Sequence, residues 1–172
     1  MKSSALIPVE EYLRTTYRPD RDYVDGEVQE RNLGELDHSD LQSELIRYLR
    51  NLPKSWKVFS FAEWRVQVAP TRFRIPDVCV CIGTKPKEPV LRTPPFICIE
   101  VLSPEDRWAH VQERLDDYVK FGVPYIWVIN PVDQRVWSYT KDGSVEIHDG
   151  ILRTENPSLE VPLREIFEEL NG

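Results

Sequence analysis

Apolar residues recur along this chain in two rhythms. Residues 75–82 and 95–102 run almost uninterrupted through Val, Ile, Cys and Leu, the pattern of strands buried on both faces. Residues 125–129 (Tyr-Ile-Trp-Val-Ile) repeat it. Elsewhere the spacing is helical. Leu41, Leu45, Tyr48, Leu49 and Leu52 form one stripe, opened by Asp37-His38-Ser39 and stopped by Pro53. Val111, Leu115 and Tyr118 form another, on a helix over 107–121 with Ser103 as N-cap, Pro104 at the first helical position and Gly122 as the stop. Shorter helices are expected over 8–17 and 163–170. Alternation over 22–31 predicts a β-hairpin turning at Asp25-Gly26. Residues 56–68 give one or two strands, 69–74 a turn, and 135–140 with 145–148 a meander around Asp142-Gly143. The proline-bearing connection 83–94 reads as extended or mobile in isolation. Helices alternating with strands in this order predict an α/β (α+β) fold, a central mixed β-sheet flanked by helices, in a single domain over 1–172.

Each of the first two strands carries one acid, Asp77 and Glu100, where burial of a charge costs several kcal/mol unless it is compensated. If the strands pair antiparallel across the 83–94 connection, Asp77 falls opposite Glu100 and Cys79 opposite Cys98. Alternation puts Asp77, Cys79 and Cys81 on the same face as Phe96, Cys98, Glu100 and Leu102. Two carboxylates this close cannot both stay ionised without a positive partner. A hard divalent cation is one candidate, since Mg2+ takes a few carboxylate oxygens and keeps its other waters. Arg107 and Arg114, at the edge of the apolar stripe of the following helix, are the others; Arg114 reaching the acid pair is the contact of interest.

Composition narrows the class. Hydrophobic content of 41% and charged content of 30% suit a globular domain, and a net charge of −7 weighs against a broad basic nucleic-acid footprint. The three cysteines lie in strand context without histidines beside them, which suggests reduced core thiols and no zinc site. No charged-then-apolar leader and no run approaching ~20 apolar residues is present, so the expected setting is cytoplasmic, without a membrane span.

Taken together, Ile-Pro-Asp77-Val, Ile-Glu100-Val-Leu-Ser103-Pro104, Tyr118-Val-Lys-Phe-Gly122-Val and Tyr-Ile-Trp127-Val-Ile-Asn-Pro131 resemble the Uma-type endonucleases of the PD-(D/E)XK, restriction-endonuclease-like superfamily. The resemblance extends from Tyr12, through the hairpin Tyr23…Asp25-Gly26-Glu27, to the C-terminal helix. It implies a restriction-endonuclease-like fold, Mg2+ (or Mn2+) held by Asp77, Glu100 and the Val101 carbonyl, and phosphodiester hydrolysis in DNA, with a homodimer as the arrangement that cuts two strands. It also implies roles near the metal or substrate for Glu27 and His38. The sequence departs from the superfamily pattern at Leu102, where a lysine is usual; in the Uma-type family that lysine is displaced onto the helix, at the place of Arg114. Arginine stays charged and cannot act as a general base, but it can hold a phosphate oxygen.

Plainer roles stand beside these. Asp77 also fits a strand-start acid held by backbone donors, Glu100 an ion pair with Arg107 or Arg114, and Arg114 a structural counterion. Glu27 fits a solvated hairpin residue, His38 a helix-start capping group, and Glu44 an exposed helical glutamate better than a superfamily acid. Arg47, Arg50, Arg72, Arg74, Lys85 and Lys87 read as solvated charges unless they converge into a phosphate strip. The tryptophans read mostly as core or interface residues. The competing function is a nuclease-fold module, catalytically weak or inactive, that binds DNA or a protein partner.

Overall fold

In the computed structural model, which describes residues 5–32 and 34–172, the first two apolar runs become β6 (Val78–Ile82) and β7 (Ile97–Val101). They pair antiparallel with Cys79 opposite Cys98, the register read from the sequence. The third run is β8 (Tyr125–Asn130), parallel to β7. A parallel neighbour requires a crossover, and α3 (Trp108–Phe121) supplies it. With β3 (Val58–Ala62), β9 (Arg135–Thr140) and β10 (Gly143–Glu146) these strands form a mixed sheet in the order β10-β9-β8-β7-β6-β3.

The sheet buries both faces. On one, Leu41, Leu45 and Leu49 of α2 (Leu36–Arg50) and Leu163, Ile166 and Phe167 of α4 (Leu163–Leu170) cover Val78, Val80, Ile97, Ile99, Trp127 and Ile129. On the other, Val111, Leu115 and Tyr118 of α3 cover Cys79, Cys98, Ile126 and Val128. Alternation sends odd and even positions of β7 to different helices, so Glu100 shares the α3 side with Cys98. Phe96, expected on that side, packs instead with the α2 cluster and against Tyr125, with ring centroids 5.1 Å apart. It lies just before β7 begins, where strict alternation does not yet hold.

A second sheet, in the order β2-β1-β5-β4, comprises β1 (Asp22–Val24), β2 (Glu27–Gln29), β4 (Val66–Ala69) and β5 (Arg72–Arg74). The hairpin turns at Asp25-Gly26, with φ of 49° and 100°, as a tight two-residue turn requires. Residues 56–68 thus give two strands that belong to different sheets. The expected turn over 69–74 holds only at Pro70-Thr71, and Arg72 and Arg74 lie in a strand. The connection 83–94 is tied down where Leu91 exchanges backbone hydrogen bonds with Arg65 and Gln67.

Other boundaries shift for local reasons. The first helix, α1 (Val9–Arg14), ends three residues before Tyr17, because Arg65 takes the Tyr12 and Thr15 carbonyls. The helix expected to be capped by Ser103 starts at Trp108 with Arg107 as N-cap. Ser103 to Asp106 instead closes a turn: the Ser103 N–H donates to Asp106 Oδ2 (2.7 Å) and the Asp106 N–H to the Ser103 carbonyl (3.0 Å). The hairpin β11 (Ile151–Thr154) and β12 (Leu159–Pro162) has no counterpart among the expected elements.

Arginines brace the two sheets. Arg74, 1% exposed, donates to Asp117 of α3 (2.6 Å) and to Asp22 of β1 (3.1 Å). Arg72 reaches Asp117, Glu113 and Asp25. Neither belongs to a solvated phosphate strip; both clamp the small sheet to α3, three residues ahead of Asp77 in the case of Arg74. Arg74→Ala leaves Asp22 and Asp117 buried beside a vacated cation site, and should lower stability by about 3–5 kcal/mol, read as a fall in the urea midpoint.

Candidate active site

Asp77 stands just before β6, at the end of the sheet, and is 3% exposed. Its Oδ2 accepts the Val101 N–H (2.8 Å), and His38 Nε2 of α2 lies 3.4 Å from the same oxygen. Its Oδ1 accepts a hydrogen bond from Arg31 Nη2 (2.9 Å). Gln42 of α2 donates to the Asp77 carbonyl (2.8 Å), fixing the backbone as well. Gly34 makes room for this arrangement: a Cβ there would come within 2.6 Å of His38 Nδ1.

Continuing the β6–β7 register one step past Val78 and Ile99 places Asp77 opposite Glu100, which is 2% exposed. Glu100 Oε1 accepts a short hydrogen bond from the Tyr118 hydroxyl (2.6 Å), and Oε2 faces Arg114 Nη2 at 3.7 Å, both from α3. The two acids are therefore held from opposite sides, Asp77 by α2 and Arg31, Glu100 by α3.

Their electrostatics diverge. Burial pushes the Asp77 carboxyl up, but the His38 hydrogen bond, the charges of Arg31 and His38 and the Val101 N–H outweigh it, so Asp77 sits below the usual carboxylate value. Glu100 is pushed up to about 7, by burial first and further by the charge of Asp77, with Arg114 and Tyr118 only partly offsetting this. His38 is lowered by burial and more than restored by Asp77, ending above the ordinary imidazole value.

Arg31 and Arg114, which contact the two acids, also line a cavity of about 510 Å³ with Arg74, Arg107 and His110 and, among acids, Asp22, Glu27, Glu30, Glu105 and Asp106; Asp77 and Glu100 lie behind them and do not line it. Glu27, exposed, belongs to its rim. Glu44 lies apart, paired with Arg47 at 2.7 Å, as an ordinary helical glutamate. The sequence reading missed Arg31 and the hydroxyl of Tyr118. Tyr118 looked like one more core position, and Arg31 lies in an irregular segment with no periodic signal. Val101 was expected through its carbonyl; the contact seen is its N–H to Asp77.

The family model described as "Putative restriction endonuclease" matches residues 9–170. The chain belongs to the Uma2 family. A crystal structure titled as a putative nuclease belonging to DUF820, from Anabaena variabilis, superposes with a TM-score of 0.81 at 23% identity, covering 95% of this chain and 99% of that one. At that identity the likeness speaks for the fold, which is the restriction-endonuclease-like architecture expected. No curated protein matches the sequence significantly. Among the described residues of this Uma2 protein, no helix is long and apolar enough to cross a membrane.

The Glu100 shift carries a stability consequence. Its folded value lies above its unfolded one, so between about 4.5 and about 7 the folded chain keeps a proton that the unfolded chain releases. Stability falls as pH rises through that window. Glu100→Gln should therefore stabilise the protein at about pH 8 relative to about pH 5, by roughly 2 kcal/mol, measured by urea unfolding at both values.

Proposed function

We propose that this protein is a metal-dependent phosphodiester hydrolase acting on DNA, an endonuclease using Mg2+ or Mn2+. The observation that carries the reading is a pair of buried carboxyls, Asp77 and Glu100, each in contact with an arginine, Arg31 or Arg114, that lines the cavity. The donors fit a hard ion: two carboxylates, with the Val101 carbonyl as the third oxygen, leave the remaining positions to water, as Mg2+ prefers. The described residues hold no group of three or more His, Cys, Asp or Glu able to bind a metal, so the third protein oxygen would come from the backbone.

An ion held there by Asp77, Glu100 and the Val101 carbonyl would supply Lewis acidity toward a phosphoryl group. The chain supplies the rest. His38 and the Val101 N–H orient Asp77, and the Tyr118 hydroxyl orients Glu100. Arg114, whose buried Nε has no partner, holds a phosphate oxygen. His110 and Arg107 border the same cavity, and Glu27 at its rim faces incoming substrate.

A second reading, a nuclease fold that binds DNA or a protein without cutting, is favoured by Leu102 standing where the superfamily has lysine. Plasmid nicking separates the two. Wild type with Mg2+ or Mn2+ should nick, and Asp77→Ala should lose at least about a hundredfold in rate while keeping its fold by circular dichroism. A clean wild-type preparation that nicks with neither ion contradicts the hydrolase reading and supports the binding module.

A further inference from the structure

Arg31 is held more loosely than Arg74, the fully buried arginine of β5, and shares with Arg114 a buried Nε that has no partner. Arg74 donates to three side chains, those of Asp117, Asp22 and Gln29. Arg31 makes one side-chain hydrogen bond among the described residues, to Asp77 Oδ1 at 2.9 Å. Glu63 lies 3.7 Å from Nη1, and the buried Nε has no partner. Its side chain is 9% exposed, so this is an enclosed guanidinium using a fraction of its five donors. It sits between β2 and α2, outside regular structure, where a side chain can relocate without breaking a ladder or a helix turn. The cavity it lines gives it somewhere to go.

Charge counting gives this position its meaning. Asp77 and Glu100 together offer at most two negative charges, and Arg31 and Arg114 already supply two positive ones. His38 adds a further donor against Asp77. A divalent ion entering that set would stand within a few ångströms of a guanidinium and find no net negative charge. With Arg31 withdrawn, the same cluster attracts the ion.

We propose that Arg31 is the affinity-setting residue of the metal site: its guanidinium holds Asp77 in the ion-free protein and is displaced when a divalent cation binds. This rests on the metal-site reading of Asp77 and Glu100. Arg31 is a positioning residue in this role, acting through Asp77. Its displacement makes metal binding weaker than the two carboxylates alone would give, and couples it to whatever draws the guanidinium into the cavity.

The test is calorimetric titration of Mn2+ alone, without DNA, into wild type, Arg31→Gln and Arg31→Gln/Asp77→Asn. Arg31→Gln should bind Mn2+ roughly tenfold or more tightly than wild type, because the guanidinium no longer competes for Asp77, and the double variant should lose that gain. The same result with a silent wild type also supports the proposal. Equal or weaker Mn2+ binding by Arg31→Gln overturns it and leaves the metal site standing. No Mn2+ binding by either protein overturns it together with the metal site. Arg31→Met, which keeps the stem's packing without the charge, replaces Arg31→Gln if that variant does not fold. Thermal unfolding provides a second readout: added Mn2+ should raise the melting temperature more for the Arg31 variant than for wild type.

Discussion

Two carboxyl groups on adjoining strands, shielded from water, impose a demand for positive charge that much of the surrounding structure answers. A single buried acid can be satisfied by hydrogen bonds. Two facing each other cannot, because each raises the free energy of the other's ionised form. Asp77 receives His38, Arg31 and a backbone N–H and ionises readily. Glu100 receives Tyr118 and a more distant Arg114 and holds its proton to about neutral pH. The asymmetry is built by position. Asp77 sits at the sheet's end, within reach of α2 and Arg31, whereas Glu100 lies inside β7 and takes its hydrogen bond and its ion pair from α3.

That arrangement depends on α3 and the small sheet staying fixed to one another. Arg72 and Arg74 accomplish this through Asp117, Glu113, Asp22 and Asp25. Arg74 precedes Asp77 by three residues, and Asp117 lies one helical turn from Arg114 and next to Tyr118, so the brace locates both halves of the acid site. The core gives the sheet its position, and the buried ion pairs give it its orientation. Such pairs add little net stability compared with apolar packing, but losing one partner is costly. They act here as a registration device between two sheets.

The sequence made the central sheet legible because β6, β7 and β8 are nearly pure apolar runs with few competing patterns. The facing acids followed from register, since the length of the 83–94 connection left Cys79 opposite Cys98. What escaped shows where pattern reading stops. β5 is Arg-Phe-Arg, three residues in which a buried arginine cannot be told from a solvated one by alternation alone. Helix α3 begins late because the Asp106 carboxylate turns back to Ser103, a competition between two caps that share the same signature. The β11–β12 hairpin is short and interrupted by Asn156-Pro157. Arg31 belongs to no period, and its contact with Asp77 spans 46 positions, beyond anything local sequence encodes.

Membership in the Uma2 family and the restriction-endonuclease-like fold agree with this geometry, and the distinctive feature of the chain is that arginine occupies the places where cations are needed. The most direct test of the account is a crystal soaked in Mn2+ and measured for anomalous scattering. The account predicts one peak contacted by an oxygen of Asp77 and an oxygen of Glu100, with the Arg31 guanidinium moved off Asp77. A saturating soak that leaves no peak between the two acids, with Arg31 still bonded to Asp77, would contradict it.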